Sequence, residues 1–202
     1  KFGELKMGKN RKHGYKSWGL VPFYSENNTE AYQELPSVNN NPNVQKNSGY
    51  EQIDFLQKFI VKLPNEKLFT LNIQLSNSSD IPRFDKLNEY KDGALRFAEW
   101  NYGPQKRFLI SPQFKFFPKK KFFYKGYLTM AYQNVNESRI NRKFNELGRS
   151  TQSENVHVWS FNGDFETKKT VKTSFAYGFE WVKNEVVSKA FSQELIVNGN
   201  EI

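Results

Sequence analysis

Six stretches of this chain alternate apolar and polar residues with period two, and the charges fall on one side of the alternation only. The run from Leu68 to Leu75 is the cleanest. Phe69, Leu71, Ile73 and Leu75 share one face of a strand, while Thr70, Asn72, Gln74 and Ser76 share the other. Ile53, Phe55, Phe59 and Val61 repeat the pattern upstream, interrupted by Gln57, opposite Asp54, Lys58 and Lys62. Downstream come Phe108, Ile110, Phe114 and Phe116, sharing their face with Pro112. Then follow Phe122, Tyr124, Leu128, Met130 and Tyr132 with Gly126; Trp159, Phe161 and Phe165; and Val171, Phe175, Tyr177, Phe179 and Trp181. None of these apolar rows contains Asp, Glu, Lys or Arg. The opposite rows carry Arg107, Lys115, Lys125, Asp164, Glu166, Lys172 and Glu180 as well. A chain that is 25% charged would leak charge onto rows that merely faced water.

This pattern fits two architectures. In a soluble sandwich the apolar rows meet a protein core. In a transmembrane barrel they meet lipid and the ionic rows line a hydrated lumen. The composition suits strands: 37% hydrophobic residues, few of them aliphatic, with 16% aromatics. No run of about 18 apolar residues exists for a transmembrane helix, whereas a transmembrane strand needs only about 9–11 residues. A Lys or Arg at mid-depth on a lipid-facing row costs about 2–4 kcal/mol, which accounts for the missing charges. The expectation is therefore an all-β, antiparallel, up-and-down transmembrane β-barrel segment. Its girdles would be Tyr132, Trp159 and Trp181 at one boundary and Phe116, Phe122 and Phe165 at the other.

The connections are expected to alternate short and long. Residues 1–49 read as a long extracellular loop, rich in Gly, Pro and Asn, with a short hairpin around Leu20–Tyr24. Residues 50–183 read as three strand hairpins separated by long loops 78–104 and 136–153, and residues 184–202 as a further extracellular loop. Pro112 cannot donate to a ladder, so a bulge is expected there. Six strands are too few to close a barrel of this type, and open edges are excluded from lipid. A larger barrel is expected, of which this is a piece. The chain opens at Lys1 without Met or signal peptide, which reads as a mature chain or a fragment.

Residues 76–87 (SNSSDIPRFDKL) and 98–107 (AEWNYGPQKR) resemble a mid-barrel segment of TonB-dependent outer-membrane receptors of the branch common in Bacteroidota. Residues 6–15, 42–50 and 132–144 look like the same family in the same order. The resemblance implies a 22-stranded barrel, of which about six strands are present, a bacterial outer-membrane location and uptake of a scarce large solute, of the iron chelate, haem or cobalamin class. It implies energy from the TonB complex, reached through a plug domain that this sequence lacks. The expected partners are outer-membrane lipid, lipopolysaccharide and the solute, with room for a surface lipoprotein and no role for nucleic acid.

Catalytic motifs are absent, and no cofactor or metal site is expected: there is no Cys, and His13 and His157 are the only histidines. His157 falls on the apolar side, as an interfacial imidazole. The residues placed for solute contact are His13 and Tyr15 in the first loop, and Arg96, Trp100 and Tyr102 in the loop 78–104. The latter three combine stacking surface with a cation for an anionic aromatic chelate. Arg139, Arg142, Lys143 and Arg149 form a basic loop suited to lipopolysaccharide or an acidic ligand. Two other functions are weighed. An outer-membrane barrel protease or lipase would need His13 in its machinery. A soluble basic β-domain would bind nucleic acid with steep salt dependence.

Overall fold

The computed structural model describes residues 48–87, 89–118, 120, 123–170 and 173–194, together with four two-residue strands before them. Those are β1 (Leu5–Lys6), β2 (Phe23–Tyr24), β3 (Ser37–Val38) and β4 (Val44–Gln45). β1 pairs with β4 and β2 with β3; of the short hairpin expected around Leu20–Tyr24, Phe23–Tyr24 is described, and its partner is Ser37–Val38, outside that stretch. The rest of the expected first loop, with His13 and Tyr15, lies outside the described residues, as do Phe122, Val171, Lys172 and residues 195–202.

The body of the chain is one antiparallel sheet. Its strands are β5 (Gln52–Leu63), β6 (Lys67–Ser78), β7 (Ile81–Pro82), β10 (Phe97–Tyr102), β11 (Lys106–Phe116), β12 (Lys125–Lys143), β13 (Gly148–Glu166) and β14 (Ala176–Glu194), while β8 (Tyr90–Lys91) and β9 (Ala94–Leu95) form a separate two-stranded ladder within the connection from β7 to β10. A four-residue helix, α1 (Phe84–Leu87), sits between β7 and β8. The main strands neighbour one another in the order β14-β13-β12-β11-β6-β5, an up-and-down meander. β10 extends β11's line by pairing with the far part of β12, and β7 pairs with β10.

The register aligns the apolar rows. Phe55 lies opposite Leu75, and Leu75 opposite Phe108. Ile73, Ile110, Tyr132 and Trp159 form the next row, and Phe69, Phe114, Leu128, Gly163 and Phe179 a lower one. Because directly paired residues share a face, all six apolar rows lie on one side of the sheet. Rings fill the space over glycines in these rows. A Cβ on Gly126 would come within 2.5 Å of the Phe116 ring, and one on Gly163 within 2.5 Å of the Phe179 ring.

Several expectations need correction. The connection 136–153 is not a long loop: β12 and β13 continue their ladder to Arg142–Arg149, leaving only a turn at residues 144–147 with Asn145 at φ 59°. Residues 184–194 belong to β14 rather than to a loop, paired with β13 as far as Gly148–Glu194. Trp181 consequently sits mid-strand, one row below the level of Trp159, and not at a strand end. Phe123 packs edge-on against Phe165 at 5.5 Å, joining the apolar side from which its alternation had excluded it.

Pro112 makes no bulge. Its pairing with Leu71 is in step with its neighbours. The β12 ladder skips Ser111 and Pro112 and resumes at Gln113–Thr129 in the register set by Ile110–Tyr132. The absent donor costs one local interruption instead of a shift.

Neither face of the sheet is packed into a core, and the apolar face stays open even on interior strands. On the interior strands β6 and β11, the polar-face residues Thr70 and Ser111 are each 7% exposed. On interior strand β12, the apolar-face Met130 is 55% exposed, and on β13 Trp159 is 48% exposed. The buried hydrophobic residues among those described are Leu87, Leu95 and Ala98, all within the connection between β6 and β11. No described segment covers the apolar face. β5 and β14 end the sheet without a further partner among the described residues.

Candidate functional site

The connection from β6 to β11 is a small folded unit seated on the sheet's end. Asp92 and Gly93, at φ 52° and 84°, form the two-residue turn between β8 and β9, the backbone that an Asp-Gly pair favours. Backbone bonds tie the unit down: Arg83 N–H to Trp100 O at 2.9 Å, Phe144 N–H to Arg96 O at 3.1 Å, and Gly103 N–H to Ser138 O at 2.8 Å.

Trp100 and Tyr102 pair with Asn141 and Arg139 of β12. Those odd-numbered partners continue β12's polar rows, so both rings sit on the polar side of the sheet. The rings meet edge to face, with centroids 4.9 Å apart and planes at 83°. A cation caps them, but it is Arg83 and not the expected Arg96. The Arg83 guanidinium lies 4.8 Å from the Trp100 centroid and 5.5 Å from that of Tyr102, and Nη1 donates to the Tyr102 hydroxyl at 3.1 Å. Arg83 is also held by Asp85 through two bonds. That bond keeps the Asp85 carboxyl below its ordinary range and the Arg83 guanidinium above its own. Arg96 instead bonds Glu89 and covers the Phe97 ring at 4.9 Å. Lys86, at 2.8 Å, completes the pairing of Glu89, whose carboxyl titrates below its usual value. Arg83 follows directly on Ile81–Pro82, the short strand that pairs with Asn101–Tyr102, and this pairing, which no local pattern announces, brings it to the rings.

On the opposite side of β10 lies a buried ionic cluster that the sequence did not reveal. Glu99 is 7% exposed and accepts from Arg149 Nη2 at 2.6 Å and from Asn101 Nδ2 at 3.2 Å. Arg142, paired with Glu99 across the strands, is 3% exposed and donates to the Glu146 carbonyl at 2.8 Å. Asp80 borders the cluster. Burial pushes its carboxyl up, the Glu99 charge pushes the same way, and Arg149 opposes both. The expected basic loop is thereby largely consumed. Arg142 is buried, Arg149 neutralises Glu99, and Lys143 pairs with Glu146 at 3.1 Å; of the four, Arg139 is exposed and in no ion pair among the described residues.

A raised Asp80 destabilises the folded state once it ionises. Stability falls as pH rises from the ordinary carboxylate range through the raised folded value, and is unaffected below that range. Asp80→Asn should therefore be more stable than the parent at neutral pH, with the difference vanishing in acid. Melting temperatures at pH 7 and pH 3 check this. A smaller advantage at pH 7 than at pH 3 would contradict it.

His157 lies just beyond the aromatic row on the apolar side. Its Nδ1 is 2.9 Å from the Tyr132 hydroxyl and 3.2 Å from Asn134 Nδ2, and its ring stacks on Tyr132 at 6.2 Å. Tyr132 also contacts Trp159 at 4.3 Å and Phe108 at 6.2 Å. At the other end, Phe114 stacks on Phe116, and Phe165 stacks on Tyr177, each at 5.5 Å. Two aromatic clusters thus border the apolar rows. Among the described residues no group of three or more His, Cys, Asp or Glu could hold a metal ion. Comparison with protein-family models, curated proteins and solved structures found no match.

Proposed function

We propose that this chain is a β-barrel segment of a TonB-dependent outer-membrane receptor, with its apolar face in lipid and its polar face on a hydrated lumen. The carrying observation is the open apolar face: on interior strands Met130 and Trp159 stay exposed, and no described segment lies over them. A soluble sheet gains its stability by hiding the apolar face; here lipid is the solvent that would cover it. Three further features support the reading. The two aromatic clusters occupy the levels of interfacial girdles. β5, β6 and β11 have 12, 12 and 11 residues, close to one membrane crossing. β12, β13 and β14 have 19 residues each, and β12 and β13 turn largely polar on both faces beyond Tyr132 and Trp159, as strands projecting into water would.

In this reading the edges at β5 and β14 pair with further strands of a larger barrel, since lipid tolerates no open edge. Transport of a large solute then belongs to the intact barrel and its plug. Trp100 and Tyr102 look into the mouth of the lumen. Arg83 is already neutralised by Asp85, so the pair offers stacking surface more than net charge, which suits a broad, planar or amphipathic solute.

Depth-dependent fluorescence quenching tests the placement. In bilayers of lipids brominated on their acyl chains, the intact protein with Trp181 as sole tryptophan should be strongly quenched. With Trp100 alone it should stay bright. Equal emission from both, or a protein that stays monomeric in water without detergent, would refute the membrane assignment.

A further inference from the structure

Next to the Trp100–Tyr102 ring pair, on the same polar side of the sheet, β12 and β13 enclose a shallow hollow lined by Glu137, Ser138, Arg139, Gln152 and Glu154. Arg139 lies directly opposite Gln152 on one side and Tyr102 of β10 on the other. One row along, Glu137 lies directly opposite Glu154. Like charges so placed repel, and neither is in an ion pair among the described residues. Glu137 accepts from Gln105 Nε2 at 3.2 Å, and Glu154 is exposed. Ser138 turns its hydroxyl to the Gly103 carbonyl. Two guanidiniums flank the carboxylates without pairing with them. Arg139 is exposed and unpaired, as described above, and Arg107 donates to Gln133 at 3.0 Å. The row beyond is apolar although it belongs to the polar side: Val135, Val156 and Val186 pair in line across three strands.

Successive rows on one side of a strand stand about 7 Å apart. An uncommitted guanidinium at that distance from two facing carboxylates matches a zwitterion of the same span. A dipeptide extended along the strands has its ammonium and its carboxylate about 7 Å apart. We propose that this hollow binds a peptide-like zwitterion. Its ammonium sits between Glu137 and Glu154, relieving their repulsion, and its carboxylate meets Arg139 in a charge-assisted pair. The side chain next to the ammonium reaches Val135 and Val156, which favour an aliphatic group. The side chain next to the carboxylate reaches Tyr102, which favours an aromatic one. The inference rests on the reading of the polar side as a lumen wall, and it narrows the solute to one that carries a peptide-like segment.

Isothermal titration calorimetry of the intact protein in detergent tests it. The probes are the dipeptide Leu-Phe, its N-acetyl form and its C-terminal amide. The parent should bind Leu-Phe about tenfold more tightly than either blocked form, the scale of one charge-assisted contact. Arg139→Gln should bind Leu-Phe and its amide equally while still rejecting the acetyl form. Glu137→Gln combined with Glu154→Gln should do the reverse. A general loss of fold cannot give this crossover, since each variant keeps one discrimination. No binding of Leu-Phe by the parent, equal binding of all three probes, or both discriminations kept or lost together in a variant would overturn the proposal. If Trp181 remains quenched while the crossover is absent, only this site falls. If Trp181 is not quenched, the membrane reading falls, and the lumen wall on which this site depends falls with it.

Discussion

Arg149→Ala should cost about 3–5 kcal/mol, because it strands a buried carboxylate rather than because it deletes a bond. Glu99 has 8% of its side chain exposed, and its partner Arg149 has 26%. Arg149 is the residue that offsets Glu99, and Asp80 stands close enough for the Glu99 charge to raise its carboxyl. Removing the guanidinium takes the hydrogen-bonded cation from a buried carboxylate and the opposing charge from Asp80. A surface ion pair would be worth about 1 kcal/mol or less, so the magnitude itself reports the burial. Adding Glu99→Gln to Arg149→Ala should return much of the loss, since the amide carries no charge to strand. Urea titrations of the parent, both single variants and the double variant supply the cycle. Amide exchange at Arg83 and Gly103, whose N–H groups tie the connection to β10 and β12, localises the effect. A loss within about 0.5 kcal/mol, the range of an ordinary surface change, would mean that Glu99 is solvated.

The apolar rows were legible because lipid or core imposes a strict period of two on whatever it touches. Phe69, Leu71, Ile73 and Leu75 announce themselves, and the observed register places them beside Phe114, Ile110 and Phe108 as that pattern requires. The extensions of β12 and β13 beyond Tyr132 and Trp159 were not legible for the same reason. Asn134 to Arg142 and Arg149 to His157 have polar residues on both faces, so nothing alternates, yet the backbone ladder runs on unbroken. Hydrogen bonds hold a strand whose side chains give no sign of it. Pro112 misled in the opposite direction: a missing donor suggested a bulge, but a neighbouring ladder kept the register.

In the connection between β6 and β11, ring positions were readable and partners were not. Trp100 and Tyr102 stand out in a polar stretch. Whether Arg83 or Arg96 covers them depends on a pairing of β7 with β10, separated by about twenty residues of chain, and on an Asp92-Gly93 turn that draws Arg96 back toward Glu89. The Glu99–Arg149 pair spans fifty positions, a distance over which composition carries no information about contact. Glu99 was hidden in the sequence as one more acidic residue in a charged loop.

Met130→Arg separates lipid from every other surrounding for the apolar face. Met130 is 55% exposed, lies opposite Phe161, and sits midway between the two aromatic clusters. If water covers this face, a half-exposed Met on a sheet accepts Arg within about 0.5 kcal/mol. If protein covers it, the cost depends on the partner and vanishes when the partner is removed. If hydrocarbon covers it, the guanidinium is held at mid-depth and the folded state loses about 2–4 kcal/mol, in bilayers and not in water. Thr129→Arg is the control. Thr129 points the other way, in the row of Gln113 and Asn162, so a lumen full of water should leave its effect small. Unfolding of the two variants in phospholipid vesicles should therefore differ by about 2 kcal/mol or more, in the order Met130→Arg less stable. The opposite order would place the ionic rows in the dry environment and Met130 in the wet one. That outcome would turn the sheet over and remove the basis for reading this chain as part of a barrel.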